Sequence, residues 1–404
     1  MIFFDQEAFI ATHITGRTES LFKADLINNQ ENLQPELDHK NVLVIGGAGT
    51  IGTHFIKSLL RFHPQSLTVV DISENGLAEL VRDLRSSVGI NIPGDFKTYP
   101  LSFGNKIFYK VCTENGPFDI IANFAAHKHV RSEKDVLSVK AMIENNILYN
   151  HHLLHAFKLN PPAHLFCVST DKATNPANLM GATKKYMEQI LLAYGNFMKV
   201  STARFANVAF SQGSLLAGFL ERISKNQPVS APSDIRRYFI SPEEAGHLCL
   251  LACVLSKSKD IFFPKLNPES MKSFSEISDR LINWLGMRPA QCVSEGEARE
   301  IAHKRNIGSG DYPVYYFESD TTGEKLFEEF YSNFETVDLH SFQSMGIIKN
   351  SSVPSIGLIE QQMEELQNLL NSDSASKTDI INFFRRHLPL FDHIETGHYL
   401  DEKM

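Results

Sequence analysis

Three short stretches hold residue types that can do chemistry. The first is Gly46-Gly47-Ala48-Gly49-Thr50-Ile51-Gly52, with glycines at 46, 49 and 52. That spacing permits a tight turn, close approach of backbone to a pyrophosphate, and close packing of the helix that follows. An anion then rests on the helix N-terminus, where free N–H groups and the helix dipole favour negative charge. Asp71 ends the next apolar run. A carboxylate there hydrogen-bonds ribose hydroxyls and repels a 2′-phosphate, which selects NAD over NADP. Arg82 and Arg85 lie further along and weaken that selection. A glycine-rich turn with no ligand does not explain the order strand, loop, helix, strand, acid.

The second stretch is Ser169-Thr170-Asp171-Lys172, directly after the apolar run Leu165–Val168. In a parallel sheet, residues just past a strand's C-terminal end face the ligand crevice. Four small polar or ionisable residues at such a point suggest a reaction centre; the competing reading is a solvated loop with an N-cap. The third is Met180 and Lys184, four apart and so on one face of a helix.

Elements must hold these stretches in place. The pattern predicts strands at Val42–Ile45, Leu67–Asp71, Asp119–Ala122, Leu165–Val168 and Val200–Arg204. Helices are expected between them, notably over Thr53–Leu60, Leu77–Leu84, Lys140–Leu159 and Lys184–Ala193. Such alternation means a parallel sheet covered on both faces, a Rossmann-type doubly wound α/β fold. After about Asn207 the rhythm changes. Helices near Glu244–Leu255 and Phe274–Leu285, with strands near Ile261–Phe263 and Val314–Phe317, read as a smaller substrate-binding lobe. The expected division is an N-terminal extension over 1–38, a dinucleotide-binding domain over 39–210, a lobe occupying most of 211–350, and a helical C-terminal extension over 351–404. Ile359–Leu370 has the apolar spacing of an amphipathic helix. The tail beyond Thr378 carries Phe383, Phe384, Leu388, Leu390 and Phe391, so it is expected to pack on the body or on a partner subunit.

Composition narrows the class. The 404 residues carry 47 acidic and 39 basic side chains, a net charge of −8, which disfavours a nucleic-acid partner. Ordinary apolar and charged content excludes wholesale disorder. The longest apolar stretch, Leu248–Leu255, is far below the roughly 18 residues that span a bilayer. The start, Met1-Ile2-Phe3-Phe4-Asp5, lacks the basic region and cleavage site of a signal peptide. Five scattered cysteines without a C-x-x-C pair point to reduced thiols and a cytoplasmic setting. His151 and His155 form an i, i+4 pair, but no acidic third ligand stands nearby, so no metal is expected. Glu324, Glu328 and Glu329 are read as the solvated face of a helix.

In order along the chain come the glycine loop, Asn123-Phe124-Ala125-Ala126-His127-Lys128-His129-Val130, Ser169-Thr170-Asp171-Lys172-Ala173, Asn178-Leu179-Met180-Gly181-Ala182-Thr183-Lys184, Arg204-Phe205-Ala206-Asn207-Val208, Arg237-Tyr238-Phe239-Ile240 and Gly323-Glu324-Lys325-Leu326-Phe327-Glu328-Glu329. This set resembles the extended short-chain dehydrogenase/reductase superfamily. Within it, the set is similar to the polysaccharide-biosynthesis branch that contains nucleotide-sugar 4,6-dehydratases acting on UDP-N-acetylglucosamine. The closing segment, Phe391-Asp392-His393 and Leu400-Asp401-Glu402-Lys403-Met404, resembles a longer-chain subgroup.

The resemblance implies NAD as cofactor, a nucleotide-sugar substrate and a homo-oligomer. It implies C4 oxidation, loss of water across C5–C6, and reduction at C6 to a 4-keto-6-deoxy sugar. Mapped onto this chain, Thr170 orients O4, Asp171 is the acid at O6, Lys172 the base at C5, and Lys184 binds the nicotinamide ribose. A buried lysine beside other cations can have a depressed pKa, which would suit Lys172 as a base. The tyrosine of the family's Tyr-x-x-x-Lys pair is replaced by Met180. The cofactor set is Gly46, Gly49, Thr50, Ile51, Gly52, Asp71, Ser102, Phe103, Ala125, Ala126 and Lys184. Phe103 stands where relatives often carry an adenine-binding aspartate. The substrate set is Lys128, His129, Met180, Asn207, Ser214 and Arg237. Thr321-Thr322 replace a common Arg-Pro, which leaves the diphosphate to Asn207 and Arg237, with Arg236 alongside. An epimerase of the same fold, and a nucleotide-binding scaffold without catalysis, are the competing readings.

Overall fold

The alternating apolar runs form a nine-stranded sheet in the computed structural model, which describes residues 4–306, 310–349 and 353–397. The strands are β1 (Asn41–Ile45), β2 (Ser66–Asp71), β3 (Asp95–Pro100), β4 (Ile120–Asn123), β5 (His164–Val168), β6 (Val200–Ala203), β7 (Asp260–Pro264), β8 (Thr336–Asp338) and β9 (Met345–Lys349). Their spatial order is β8-β9-β7-β6-β5-β4-β1-β2-β3. The order reverses at β1 and β4, the type of point where α/β sheets open a ligand crevice.

The main helices are α1 (Thr50–Leu59), α2 (Glu74–Ser86), α3 over 136–157, α4 (Leu179–Ala193), α5 (Pro242–Val254), α6 (Ile356–Asn371) and α7 (Lys377–His387). Both sheet faces are covered. In β1, Val42 and Val44 enter one core with α1, α2 and α5, while Leu43 and Ile45 enter the other with α3 and α4. Burial on both faces is why the strands read as continuous apolar runs. α5 is buried on every side, and so is apolar all round.

Two details go beyond the expected architecture. The sheet is not wholly parallel, because β9 runs antiparallel to both β7 and β8. An antiparallel edge pair needs no crossover helix, so this end of the sheet closes without a further βαβ unit. The stretch 211–350 is also divided in space. Its β7, β8 and β9 complete the main sheet, and α5 covers it. The smaller lobe keeps the parallel three-stranded sheet of Val229–Pro232, Arg288–Gln291 and Asp311–Phe317, with helices Leu215–Ser224 and Phe274–Trp284.

Both extensions dock on the body. Phe9, Ile10 and Ile14 enter the core of the smaller lobe, and Phe22, Leu33 and Leu37 enter that of the sheet. Arg17 grips Glu244 at the start of α5 through Nε and Nη2, at 2.6 and 2.8 Å. α6 and α7 pack against α4, with Ile359, Met363, Phe383 and Phe384 buried beside Tyr186. The apolar tail therefore finds its partner within the chain. Leu400–Met404 lie outside the described residues. Among the described residues, no helix is long and apolar enough to cross a membrane.

Candidate active site

A cavity of about 500 Å³ opens at the C-terminal ends of the central strands. At one end lies the glycine loop. Gly46 has φ +73°, and a Cβ there would stand 2.5 Å from the Ala125 backbone nitrogen. A Cβ on Gly52 would stand 2.4 Å from the Gly46 carbonyl oxygen. Only hydrogen fits at either position. Gly49 caps α1 with no side-chain bond to the first turn, so those N–H groups stay available to an anion. Asp71 fixes the loop to the sheet: Oδ2 accepts from the Ala48 N–H at 3.0 Å and Oδ1 from the Ser73 N–H at 2.9 Å. Ser102, Phe103, Ala125 and Ala126 continue the wall. Phe103 is held edge-on to Tyr149 at 5.6 Å. Bare helix terminus, absent Cβ atoms, a carboxylate at the end of β2 and an apolar wall together fit a dinucleotide.

The other end is polar. Thr170, Lys172, Met180 and Lys184 line it, with Lys128, His129, Asn207 and Ser214 across from them. The 211–214 loop ties the two ends together. Its Gln212 N–H donates to Thr50 Oγ1 at 3.0 Å, and Lys128 Nζ donates to the Gln212 carbonyl at 2.7 Å.

Thr170, Asp171 and Lys172 sit within hydrogen-bond reach of one another. The Thr170 hydroxyl donates to Asp171 Oδ1 at 2.8 Å, and Lys172 Nζ donates to the same oxygen at 3.2 Å. Lys184 is buried in the first turns of α4 and donates to the Val168 carbonyl at 2.6 Å. Burial lowers its pKa to about 8. Lys172 goes the other way. Burial alone would lower it, but the carboxylates of Asp171 and Glu328 outweigh that and raise it. The depressed pKa expected of Lys172 therefore belongs to Lys184, because the two carboxylates beside Lys172 outweigh both its burial and the nearby Arg237.

A buried ionic network holds this loop from behind. Arg204, wholly buried, donates to Glu188 Oε1 and Oε2 at 2.9 and 2.8 Å and to Glu335 Oε1 and Oε2 at 2.8 and 2.9 Å. Ser169 Oγ donates to Glu188 Oε1 at 2.6 Å, and Arg204 Nη1 also reaches Thr174 Oγ1 at 3.0 Å. Residues on both flanks of Thr170–Lys172 are thus fixed to one guanidinium. Nearby, Glu133 is fully buried: Oε1 accepts from the Met180 N–H at 3.1 Å and Oε2 meets His393 Nε2 of the tail at 3.3 Å.

Nearly all the anticipated residues reach the cavity wall. Two do not. Asp171 lies behind Thr170 and Lys172, buried. Arg237 is drawn away: its guanidinium donates to the Leu326 carbonyl at 3.1 Å and pairs with Glu324 at 3.4 Å. The acidic run was also misread. Residues 321–330 are not helical, and only Glu329 of the three is exposed. Glu328 is buried, with Oε1 3.7 Å from Lys172 Nζ. Nothing in the local spacing distinguishes it from Glu329. Thr322 has a use unrelated to diphosphate: its hydroxyl donates to Glu395 Oε1 at 3.0 Å and accepts from the Thr396 N–H at 3.2 Å, securing the C-terminal tail. His151, flagged for metal spacing, instead meets Glu360 of α6 at 3.1 Å and Tyr194 at 3.3 Å.

Residues 42–350 match the family described as polysaccharide biosynthesis protein. An uncharacterized membrane protein of Methanocaldococcus jannaschii is 31% identical over 318 residues, covering 76% of this chain and 85% of its own length. The UDP-N-acetylglucosamine 4,6-dehydratase (inverting) of Campylobacter jejuni is 27% identical over 289 residues, covering 69% of this chain and 81% of its own. The chain spans about half the length of two further polysaccharide biosynthesis relatives, 56% and 46%. Among solved structures, Pen from Bacillus thuringiensis superposes with a TM-score of 0.64 at 20% identity, over 83% of this chain and 99% of that one. The family match runs from the first strand of the sheet to just past the last. The chain belongs to the polysaccharide biosynthesis protein family, within the extended short-chain dehydrogenase/reductase superfamily of nucleotide-sugar dehydratases and epimerases.

Proposed function

We propose that the protein is an NAD-dependent nucleotide-sugar 4,6-dehydratase whose substrate is UDP-N-acetylglucosamine. The observation that carries this reading is the Asp171–Lys172 ion pair at the cavity's polar end, 3.2 Å across, beside a methionine where a simple oxidoreductase of this fold would keep a tyrosine. A bound nicotinamide supplies a reversible hydride acceptor. The chain's own residues supply the rest. Gly46, Gly49 and Gly52 make room for the pyrophosphate, Asp71 takes the ribose, and Lys184 places positive charge under the nicotinamide side. Thr170 orients O4 of the sugar. Once C4 is a ketone, C5–H is acidic. Lys172 takes that proton, Asp171, behind the wall, gives one to O6 through the Thr170 hydroxyl, the C6–O bond breaks and water leaves. The hydride taken from C4 would then be delivered to C6 as the Lys172 ammonium protonates C5, and solvent, which received the O4 proton, returns one to Lys172.

The proton balance of the elimination step closes on the pair itself. Moving one proton from Lys172 Nζ to Asp171 turns the ion pair into a neutral base and a neutral acid. Elimination then consumes the base's lone pair and the acid's proton, and restores ammonium and carboxylate. Burial favours the neutral pair, and the carboxylates of Asp171 and Glu328 oppose it by holding Lys172 as ammonium. Relatives named as dehydratases in the same family support the substrate class.

The test is mass spectrometry of UDP-N-acetylglucosamine incubated with protein and NAD⁺ in deuterated water. Loss of one water with deuterium at C5 is expected. Deuterium without loss of water would assign the chain to C5 epimerisation instead. No change with this or any nucleotide sugar in a panel would sink the dehydratase reading.

A further inference from the structure

We propose that Glu328 is a positioning residue for the proton chemistry at Lys172: its buried carboxylate holds the ammonium from the side away from the cavity, and its charge state decides how readily Lys172 gives up a proton. This rests on the dehydratase reading for its catalytic consequence, but not for the hold on Lys172.

The geometry carries it. Lys172 Nζ lies between two buried carboxylates, 3.2 Å from Asp171 Oδ1 and 3.7 Å from Glu328 Oε1. The Glu328 side chain is 4% exposed, and its Oε2 has no hydrogen-bond partner among the described residues. A buried carboxylate oxygen left unpaired is costly, and such costs gather at functional sites. The charged groups facing it are Lys172, Asp171, Arg237 and Lys325, the last with Nζ 4.0 Å from Oε2. Burial raises its pKa, with the Asp171 charge adding to the rise and the three cations opposing it.

The consequence is electrostatic. With Glu328 ionised, transfer of a proton from Lys172 to Asp171 loses the attraction between Lys172 and both carboxylates, and the relief of repulsion between Asp171 and Glu328 is smaller than the Lys172–Glu328 attraction lost. With Glu328 neutral, only the Asp171 contact is lost, and that loss is offset by the acid and base it creates. An ionised Glu328 therefore keeps Lys172 parked as ammonium, and a protonated Glu328 releases it.

The test reads Lys172 directly. Wild type and Glu328→Gln are labelled with a trace of acetic anhydride across a pH series, and acetylation at Lys172 and Lys184 is quantified by peptide mass spectrometry. An amine is labelled only when neutral. The Lys172 midpoint is expected to fall by about one pH unit in Glu328→Gln, since an adjacent opposite charge is worth about that much or more, while Lys184 stays put. Glu328→Asp should recover much of the wild-type midpoint. A Lys172 midpoint unmoved in a folded Glu328→Gln protein overturns the proposal. A pH profile of kcat/KM then separates the two readings. If water is lost from the sugar, the alkaline limb should move down with the labelling midpoint, with KM little changed. If the midpoint moves but the wild type eliminates no water, the dehydratase reading fails and the hold of Glu328 on Lys172 stands.

Discussion

The two ends of the cavity are built in opposite ways. At the glycine-loop end, the wall is mostly backbone: three glycines and one helix terminus, with one carboxylate that closes the loop onto β2. These parts come from 26 consecutive residues, 46–71. At the polar end, side chains of Glu188, Arg204, Glu328 and Glu335 converge on a loop of three residues and its flanks. The first end is a shape that a short segment adopts on its own once a strand and a helix flank it. The second is a charge balance that no local segment can supply. One should fail by steric overlap and the other by uncompensated charge.

The largest effect should come from the catalytic end. Lys172→Ala is expected to lower turnover about 10²–10⁴-fold, the usual contribution of a positioned acid or base, with dinucleotide affinity unchanged by calorimetry. Loss of dinucleotide binding in that variant would erase the distinction between the ends. Next, Arg204→Leu leaves Glu188 and Glu335 with Lys185 as the one cation pairing them, and should cost about 3 kcal/mol in denaturant unfolding. Adding Glu188→Gln and Glu335→Gln should restore part of it. A single variant within about 0.5 kcal/mol of wild type would show that the network does not hold the loop.

Acid separates the ends by pH. Burial lowers His54 on α1 and His247 on α5 to about 4, with neighbouring Lys57 and Arg61 adding to the effect. Their unfolded values lie near 6.5. Because the folded values are depressed, the unfolded chain binds these protons first, so stability is full above pH 6.5 and falls as pH drops toward 4. The loss should be roughly 4 kcal/mol by pH 5, about 2 for each histidine. His54→Gln should flatten the slope. Glu335 behaves differently: the contacts with Arg204 and Lys185 outweigh burial and hold it at about 2, so its contribution persists down to about pH 4.5 and is lost only between there and pH 2. Acid unfolding that spares the α1–α5 side between pH 6.5 and 5 would contradict this order.

Smaller effects sharpen the contrast. Gly52→Ala forces a Cβ against the Gly46 carbonyl and should cost about 1–3 kcal/mol of overpacking, felt as an affinity loss of about tenfold for the dinucleotide with the Lys172 labelling midpoint unchanged. Thr322→Val removes the hydroxyl that secures the tail. It should destabilise that contact by about 1 kcal/mol and quicken proteolysis beyond Leu388, with little change in dinucleotide affinity.

The cofactor end was legible in the sequence because its parts lie on one strand–loop–helix–strand unit, where spacing in sequence is spacing in space. Ser169–Lys172 and Lys184 were legible for a related reason: a strand's C-terminal end and the first turns of the next helix face the crevice by topology alone. The antiparallel β9 was not, since a short apolar strand carries no mark of its direction. Arg237 was placed on the substrate and lies instead among Leu326 and Glu324. Glu328 was read with Glu324 and Glu329 as one solvated face, and only the fold of 321–330 turns one of the three inward.

Alternation of apolar runs, glycine spacing and the residue that ends each strand were enough to specify the sheet, its crevice and the residues along the crevice wall, because those depend on local backbone geometry and chain topology. The protonation balance of Lys172, the burial of Arg204 between two glutamates and the use of Thr322 to secure the tail were settled only by packing. Each depends on distances of a few ångströms between residues up to about 150 positions apart, and electrostatic interaction in a buried site follows distance and burial, not order along the chain.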